Sequence, residues 1–158
     1  MDYKHFLYEE APILLRGLNT DTPALWGMMN AQQMIEHLAF VVGISNGRFP
    51  KEGNAEPERL AYRKMRFFEQ DKPFAKSIKV AFISEEPVPV QFADIEASKR
   101  FLFSQLERFD DYFTEHPDLM PQHVVFGPMN FDEWIQFHAR HFRHHFQQFG
   151  LVPIPETE

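Results

Sequence analysis

The stretch from Asn130 to Gly150, "NFDEWIQFHARHFRHHFQQFG", constrains this chain more than any other part of it. Asn130 followed three residues later by Glu133 is a capping-box pattern, and Gly150 with Pro153 beyond it is a usual stop. The spacing therefore predicts one helix running to Phe149. At about 100° per residue that helix divides into two sides. Asp132, Gln136, Ala139, Arg140, Arg143 and Gln147 fall on one; Phe131, Trp134, Ile135, Phe142, Phe146 and Phe149 fall on the other, which is expected to face a core. Four histidines occupy eight positions of this helix. His138, His141 and His145 lie within or beside the apolar side, and His144 lies at its boundary with the polar one. An unsatisfied buried polar group costs on the order of 1 to 3 kcal/mol, so three inward imidazoles need partners or an ion.

Three further helices are readable upstream. Tyr3 to Leu18 carries Phe6, Leu7, Ile13, Leu14 and Leu15, with Pro12 either kinking the helix or starting a second piece. After the loop "NTDTPALWG", Asn30 with Gln33 repeats the capping-box signature and opens a helix through "AQQMIEHLAFVVGIS". A long helix from Asp94 to Glu115 carries Leu102, Leu106, Phe109 and Phe113 at the i, i+4, i+7, i+11 spacing of a buried stripe. Between the second and third of these long helices, a short helix fits Arg59 to Phe68. Prolines 73, 87 and 89 argue for an irregular crossover from Gln70 to Phe92. The expected fold is all-α: a four-helix bundle with a long crossover between the second and third helices. A chain of 158 residues suits one domain, spanning 1–158 with about 151–158 as a C-terminal tail. The 18 phenylalanines suit a core filled by aromatic rings.

Charge and composition remove several function classes. With 16 Lys plus Arg against 23 Asp plus Glu, the net charge of −7 disfavours nucleic acid and anionic membranes as partners. No apolar run approaches the roughly 18 residues of a membrane span, and the first residues lack the pattern of a secretory signal, so a cytoplasmic location is expected. The absence of cysteine excludes disulfides, thiolate ligands and a cysteine nucleophile, leaving His, Asp or Glu for any metal site. Nucleophile-elbow, P-loop and dinucleotide fingerprints are absent.

Spacing then selects among the histidines. His141 and His145 are i, i+4, with Cβ atoms about 5 to 6 Å apart, close enough for two ring nitrogens to meet one ion at about 2.0 to 2.1 Å. His138 and His145 stand two turns apart, about 10 Å, too far to share an ion directly. A third ligand from another helix is needed, and His37, mid-helix among Met34, Phe40, Val41 and Ile44, is the candidate. Three neutral nitrogens with a fourth position open is the pattern of a catalytic zinc site. His138 reads either as an outer partner of the site or as a packed core residue. Gln33, one turn before His37, and Gln148 are candidates to orient ligands, and Trp134 to shape a pocket. Glu36 and Glu133 read as solvated or capping residues. His5, His116 and His123 read as loop or helix-end residues.

Two stretches, "WGMMNAQQMIEHL" and "FGPMNFDEWIQFHARHFRHHFQQFG", resemble the DinB-like superfamily of metal-binding four-helix bundles, also called YfiT-like metal-dependent hydrolases. Within it they are most similar to an uncharacterised bacterial branch with W-G-x-M, Q-M-x-E-H and H-x-x-H-H-x-x-Q-F-G patterns. The resemblance implies a divalent metal, zinc or nickel, on His37, His141 and His145, and homodimers, which are frequent in that superfamily. Some relatives are thiol S-transferases or thiol-dependent isomerases. The expected function is a metal-dependent enzyme acting on a small molecule, with S-transfer from a low-molecular-weight thiol as the leading chemistry. Metal-dependent hydrolysis by an activated water is the alternative, and a nonenzymatic metal-stabilised or metal-sensing protein the second. The no-metal reading is a network of core histidines.

Overall fold

The computed structural model describes residues 1–69 and 87–154. Among these the chain is mainly helical, with one two-stranded ladder. The first helical segment comprises α1 (Tyr3–His5), a π-helical turn (Phe6–Glu10) and α2 (Ala11–Leu15). Asp2 caps its start by accepting from the His5 N–H at 3.0 Å. The widened turn has a cause in the sequence. Pro12 has no N–H to give the carbonyl four residues back and its ring crowds that carbonyl, so the preceding turn opens and Ala11 donates instead to the Phe6 carbonyl. Phe6, Leu7, Ala11 and Leu15 remain buried on both sides of the turn.

Helix α3 (Ala31–Ser45) and helix α6 (Phe131–Gln148) both start with complete capping boxes, Asn30 with Gln33 and Asn130 with Glu133. Helix α5 (Ile95–Glu115) is capped by Asp94, which accepts from the Ala97 N–H at 2.8 Å. Gly150, at φ 71°, ends α6. The predicted stripe of α5 is buried throughout: Leu102, Leu106, Phe109 and Phe113. It packs against α3, while α6 touches α3, α1 and the π turn. Phe109, Trp134, Phe142 and Phe146 are among the largest fully buried side chains, each contributing roughly 1.5 to 3 kcal/mol through its removal from water.

The crossover holds helix α4 (Pro57–Glu69), slightly longer at both ends than the sequence suggested. Leu60 is its buried anchor, Lys64 pairs with Glu133 at 3.0 Å, and the Arg140 guanidinium covers the Phe67 ring at 3.8 Å. Of the irregular stretch expected over 70–92, residues 70–86 lie outside the described residues, and 87–92 carry neither helix nor strand. That second part is strapped to α3: Gln33 donates to the Val88 carbonyl, Gln32 to the Phe92 carbonyl, and the Gln91 N–H donates to Glu36 at 2.6 Å. Of the predicted C-terminal tail, residues 155–158 lie outside the described residues.

The sequence reading needs three corrections. Between α5 and α6 the chain forms a short antiparallel ladder, β1 (Gln122–His123) with β2 (Gly127–Pro128). His123, read as a loop or helix-end residue, lies in β1 and is buried: it is 4% exposed, stacked on Phe126 at 4.6 Å between centroids, and its Nδ1 accepts the Val125 N–H. Ala139 and Gln147, assigned to the polar side of α6, are also buried. Other chain segments cover that side; Gln147, for instance, donates to the Pro153 carbonyl. No helix among the described residues is long and apolar enough to cross a membrane.

Candidate metal centre

The cap at Asn30 fixes the phase of α3 and thereby brings His37 round to α6, where His141 and His145 stand on successive turns. The Nε2 of His141 lies 3.1 Å from the Nε2 of His37 and 3.2 Å from the Nε2 of His145. One ring nitrogen from each of the three lies within 4.8 Å of the others. The rings do not stack. Every pair is edge-on, with interplanar angles of 77° to 79°, so that nitrogens rather than faces meet at a common point.

Hydrogen bonding alone serves this arrangement poorly. Gln148 donates its amide N–H to the Trp26 carbonyl at 2.9 Å, which turns its Oε1 toward the Nδ1 of His145 at 2.7 Å. An amide oxygen only accepts, so the His145 Nδ1 carries the proton and its Nε2 offers a lone pair. His141 Nε2 then faces that lone pair on one side and His37 on the other. A single proton on it would have to serve two neighbours, and without one, two lone pairs are opposed. A cation resolves both contacts. A tetrahedral ion with Zn–N bonds of about 2.0 to 2.1 Å separates its nitrogen ligands by about 3.3 Å, close to the spacing found.

The protonation states agree. Burial lowers all three pKa values: His37 to about 4, with the neighbouring His144 adding to the effect, and His141 and His145 well below the ordinary imidazole range. After burial, His145 and His37 act most on His141. His37 acts most on His145, partly opposed by the Gln148 hydrogen bond. At neutral pH the rings are therefore neutral, the form that binds an ion. His37 is half-buried, whereas His141 and His145 are each 8% exposed, so the cluster is least covered on the side of His37.

The remaining candidates separate clearly. Gln148 touches the cluster through His145. Gln33 is engaged elsewhere: its oxygen accepts from the Asn30 N–H in the capping box and its NH2 holds the Val88 carbonyl. His138 is fully buried one turn before His141. Its Nε2 is 2.8 Å from the Ser45 hydroxyl, and its ring stacks on Trp134 at 5.2 Å and meets the edge of Phe109 at 5.3 Å. Because the Ser45 hydroxyl donates to the Val42 carbonyl, His138 Nε2 is the donor to Ser45. Trp134 is likewise wholly buried, donating to the Pro121 carbonyl, and stands in the core rather than at the cluster.

Two features escaped the sequence reading. The backbone of the Trp26 loop docks on the end of α6, with the Leu25 N–H donating to the Gln148 carbonyl at 2.7 Å and the Trp26 ring 5.8 Å from that of His144. Glu36 accepts from Gln32, Gln91 and Ser98, which makes it a tie between α3, the crossover and α5. The Gln148 contact had a readable sign, since three residues separate it from His145 on the same helix face; the loop contact, spanning more than a hundred residues, had none.

No curated protein and no solved structure matches the chain. A family model described as "Protein of unknown function (DUF1569)" matches residues 8–151, a span holding His37, His141, His145 and Gln148. With nearly its whole length covered, the chain belongs to the DUF1569 family.

Proposed function

We propose that this protein is a metal-dependent enzyme of the DinB-like type. In this reading the N-terminal segment, α3, α5 and α6 form the four-helix bundle, α4 rides on the long crossover, and His37, His141 and His145 hold a divalent ion, zinc or nickel. The observation that carries the proposal is the convergence of three neutral imidazoles, their Nε2 atoms 3.1 and 3.2 Å apart along the chain of contacts. Three nitrogen ligands leave a fourth position for a substrate.

The favoured chemistry is S-transfer from a small thiol. A bound divalent ion would hold such a thiol as its thiolate at neutral pH. The three rings would hold the ion, and Gln148 orients His145 through its Nδ1. The chemistry so supplied would be attack of the thiol sulfur on an electrophilic carbon, with the leaving group departing with its bonding pair and the thiol proton passing to solvent. The Trp26 ring, 5.8 Å from that of His144, which itself lies 5.0 Å from the ring of His145, offers apolar surface for the electrophile. Hydrolysis is the weaker reading, because a metal-bound water generally works with a free carboxylate base. Glu36, adjacent in sequence to His37, already accepts three hydrogen bonds.

The test is ion content per chain in protein purified without an affinity tag, followed by conjugation assays with common low-molecular-weight thiols, with and without zinc or nickel. About one ion per chain and ion-dependent conjugation are expected. An ion without turnover would leave a metal-stabilised protein, and no ion after incubation with either metal would end the reading. Because Irving–Williams ordering lets purified protein acquire adventitious copper or nickel, loading is measured against both metals.

A further inference from the structure

We infer that Gln148 is a positioning residue that sets the tautomer of His145, and that it can do so only because the Trp26–Gly27 loop orients its amide. The inference rests on the metal reading proposed above and extends it from the ligands to the part of the fold that prepares one of them.

A glutamine amide beside a histidine is ambiguous by itself: rotated one way it accepts from Nδ1–H, rotated the other it donates to a bare Nδ1. The Trp26 carbonyl removes the ambiguity. It can only accept, and it lies 2.9 Å from the Gln148 Nε2, so the NH2 end must face the loop and the oxygen must face His145 at 2.7 Å. The proton of His145 is thereby assigned to Nδ1 and the lone pair to Nε2, on the side where His141 and His37 meet it. The relay runs from the Trp26 carbonyl through the amide to the imidazole. The loop is registered against α6 by a second bond, from the Leu25 N–H to the Gln148 carbonyl at 2.7 Å. One residue thus receives the loop on its backbone and aims it through its side chain.

Gly27 is the steric condition for this. Its φ of 81° lies in the left-handed region, and a Cβ built on it would stand 2.6 Å from the Gln148 Nε2. Any other residue there strains the backbone and pushes on the amide that holds His145. Gly27 therefore acts on the cluster through Gln148 without being one of its ligands.

The experiment uses the full chain with zinc alone as the probe, and reads two quantities. Long-range nitrogen–proton NMR on metal-free protein at neutral pH reports the His145 tautomer, and calorimetric titration reports zinc affinity. The parent should show His145 with its proton on Nδ1. Gln148→Leu should mix the tautomers and weaken zinc binding about 10- to 100-fold, the range usual for loss of an outer hydrogen-bond partner. Gly27→Ala should move both readouts in the same direction. Gln148→Glu loses the bond to the Trp26 carbonyl but accepts from Nδ1–H with either oxygen, so it needs no orientation by the loop and should retain the tautomer and bind zinc within a few-fold of the parent. That rescue guards against Gln148→Leu merely failing to fold. A parent His145 protonated on Nε2, or a folded Gln148→Leu with parental tautomer and affinity, would overturn the inference. A parent that takes up no zinc, yet carries the Nδ1 proton and loses that preference in Gln148→Leu, would sink the metal proposal and support the relay.

Discussion

Helix α6 carries two kinds of buried histidine within one turn of each other. His138 and His141 are both neutral, both inward and both surrounded by aromatic rings, and His141 stacks on Phe137 at 5.4 Å much as His138 stacks on Trp134. They differ in what meets Nε2. For His138 it is a hydroxyl oxygen whose own proton is directed to Val42, a complete donor–acceptor pair. For His141 it is two more imidazole nitrogens. A histidine answered by protein oxygen needs one hydrogen bond, whereas one answered by other imidazole nitrogens is placed to share an ion with them. Burial and pKa do not separate the two cases; the partner atom does.

The sharpest way to break that contrast is to remove one ring from each side. His141→Ala should abolish stoichiometric zinc uptake, an affinity loss of more than about a hundredfold, larger than the usual effect of an outer partner, read by ion content and calorimetry. His138→Ala should leave zinc stoichiometry unchanged. If both variants lose the ion equally, the distinction by partner atom is wrong.

Acidification should separate the two sites in a different way. The folded-state pKa values are lowered, His37 to about 4 and His138 and His123 to about 3, against about 6.5 unfolded. The unfolded chain therefore binds more protons below about pH 6.5. Stability contributed by the neutral rings is full above that pH, falls as pH drops through the window, and levels off below the folded values. Each tenfold difference in proton affinity between the folded and unfolded chain is worth about 1.4 kcal/mol, so the rings together contribute several kcal/mol, measurable by urea unfolding between pH 7 and 4. Zinc-loaded protein should keep its ion while the rings stay neutral and release it only as pH falls to about 4 and below, where His37 begins to bind a proton, while the contribution from His138 declines further toward pH 3. Stability that is flat from pH 7 to 4 would contradict buried neutral imidazoles at both sites.

Smaller effects sharpen the packing side. His138→Ala should cost roughly 2 to 4 kcal/mol in urea unfolding, for the cavity left among Trp134, Phe109 and Phe137. Ser45→Ala should cost about 1 to 3 kcal/mol, because it leaves the His138 Nε2–H buried without its acceptor. A cost near zero for Ser45→Ala would mean that His138 is held by its ring contacts alone.

Much of this was legible in the sequence because it is encoded locally. Both capping boxes, the stripe of α5, and the choice of His37, His141 and His145 follow from offsets of three, four and seven residues, and the structure brings those three rings together. Helical period says which way a side chain points but not what lies opposite. Thus Ala139 and Gln147 were placed on a polar side that other segments cover, and His138 could not be assigned until Ser45, 93 residues away, was seen against it. The roles of Trp26 and Gly27 were hidden for the same reason, since the loop meets α6 across a separation of 122 residues. Pro12 announced a distortion but not its kind; the π turn depends on keeping Phe6 and Leu7 buried as well as Leu15.

The two capping boxes have a consequence for how the chain tolerates change in length. Each helix that carries the cluster begins at a fixed mark, Asn30 or Asn130, and the rings that converge are set by counting from it, seven residues to His37 and eleven to His141. Adding or deleting one residue within either interval would leave a sound helix, yet swing the ring by about 100° around the axis and away from the shared point. The exposed stretch from Pro50 to Glu52 bears no such count. Substitutions at solvent-facing positions can be equally mild in both regions, but a single-residue insertion should be tolerated in the exposed stretch and should scatter the rings when placed within either helix.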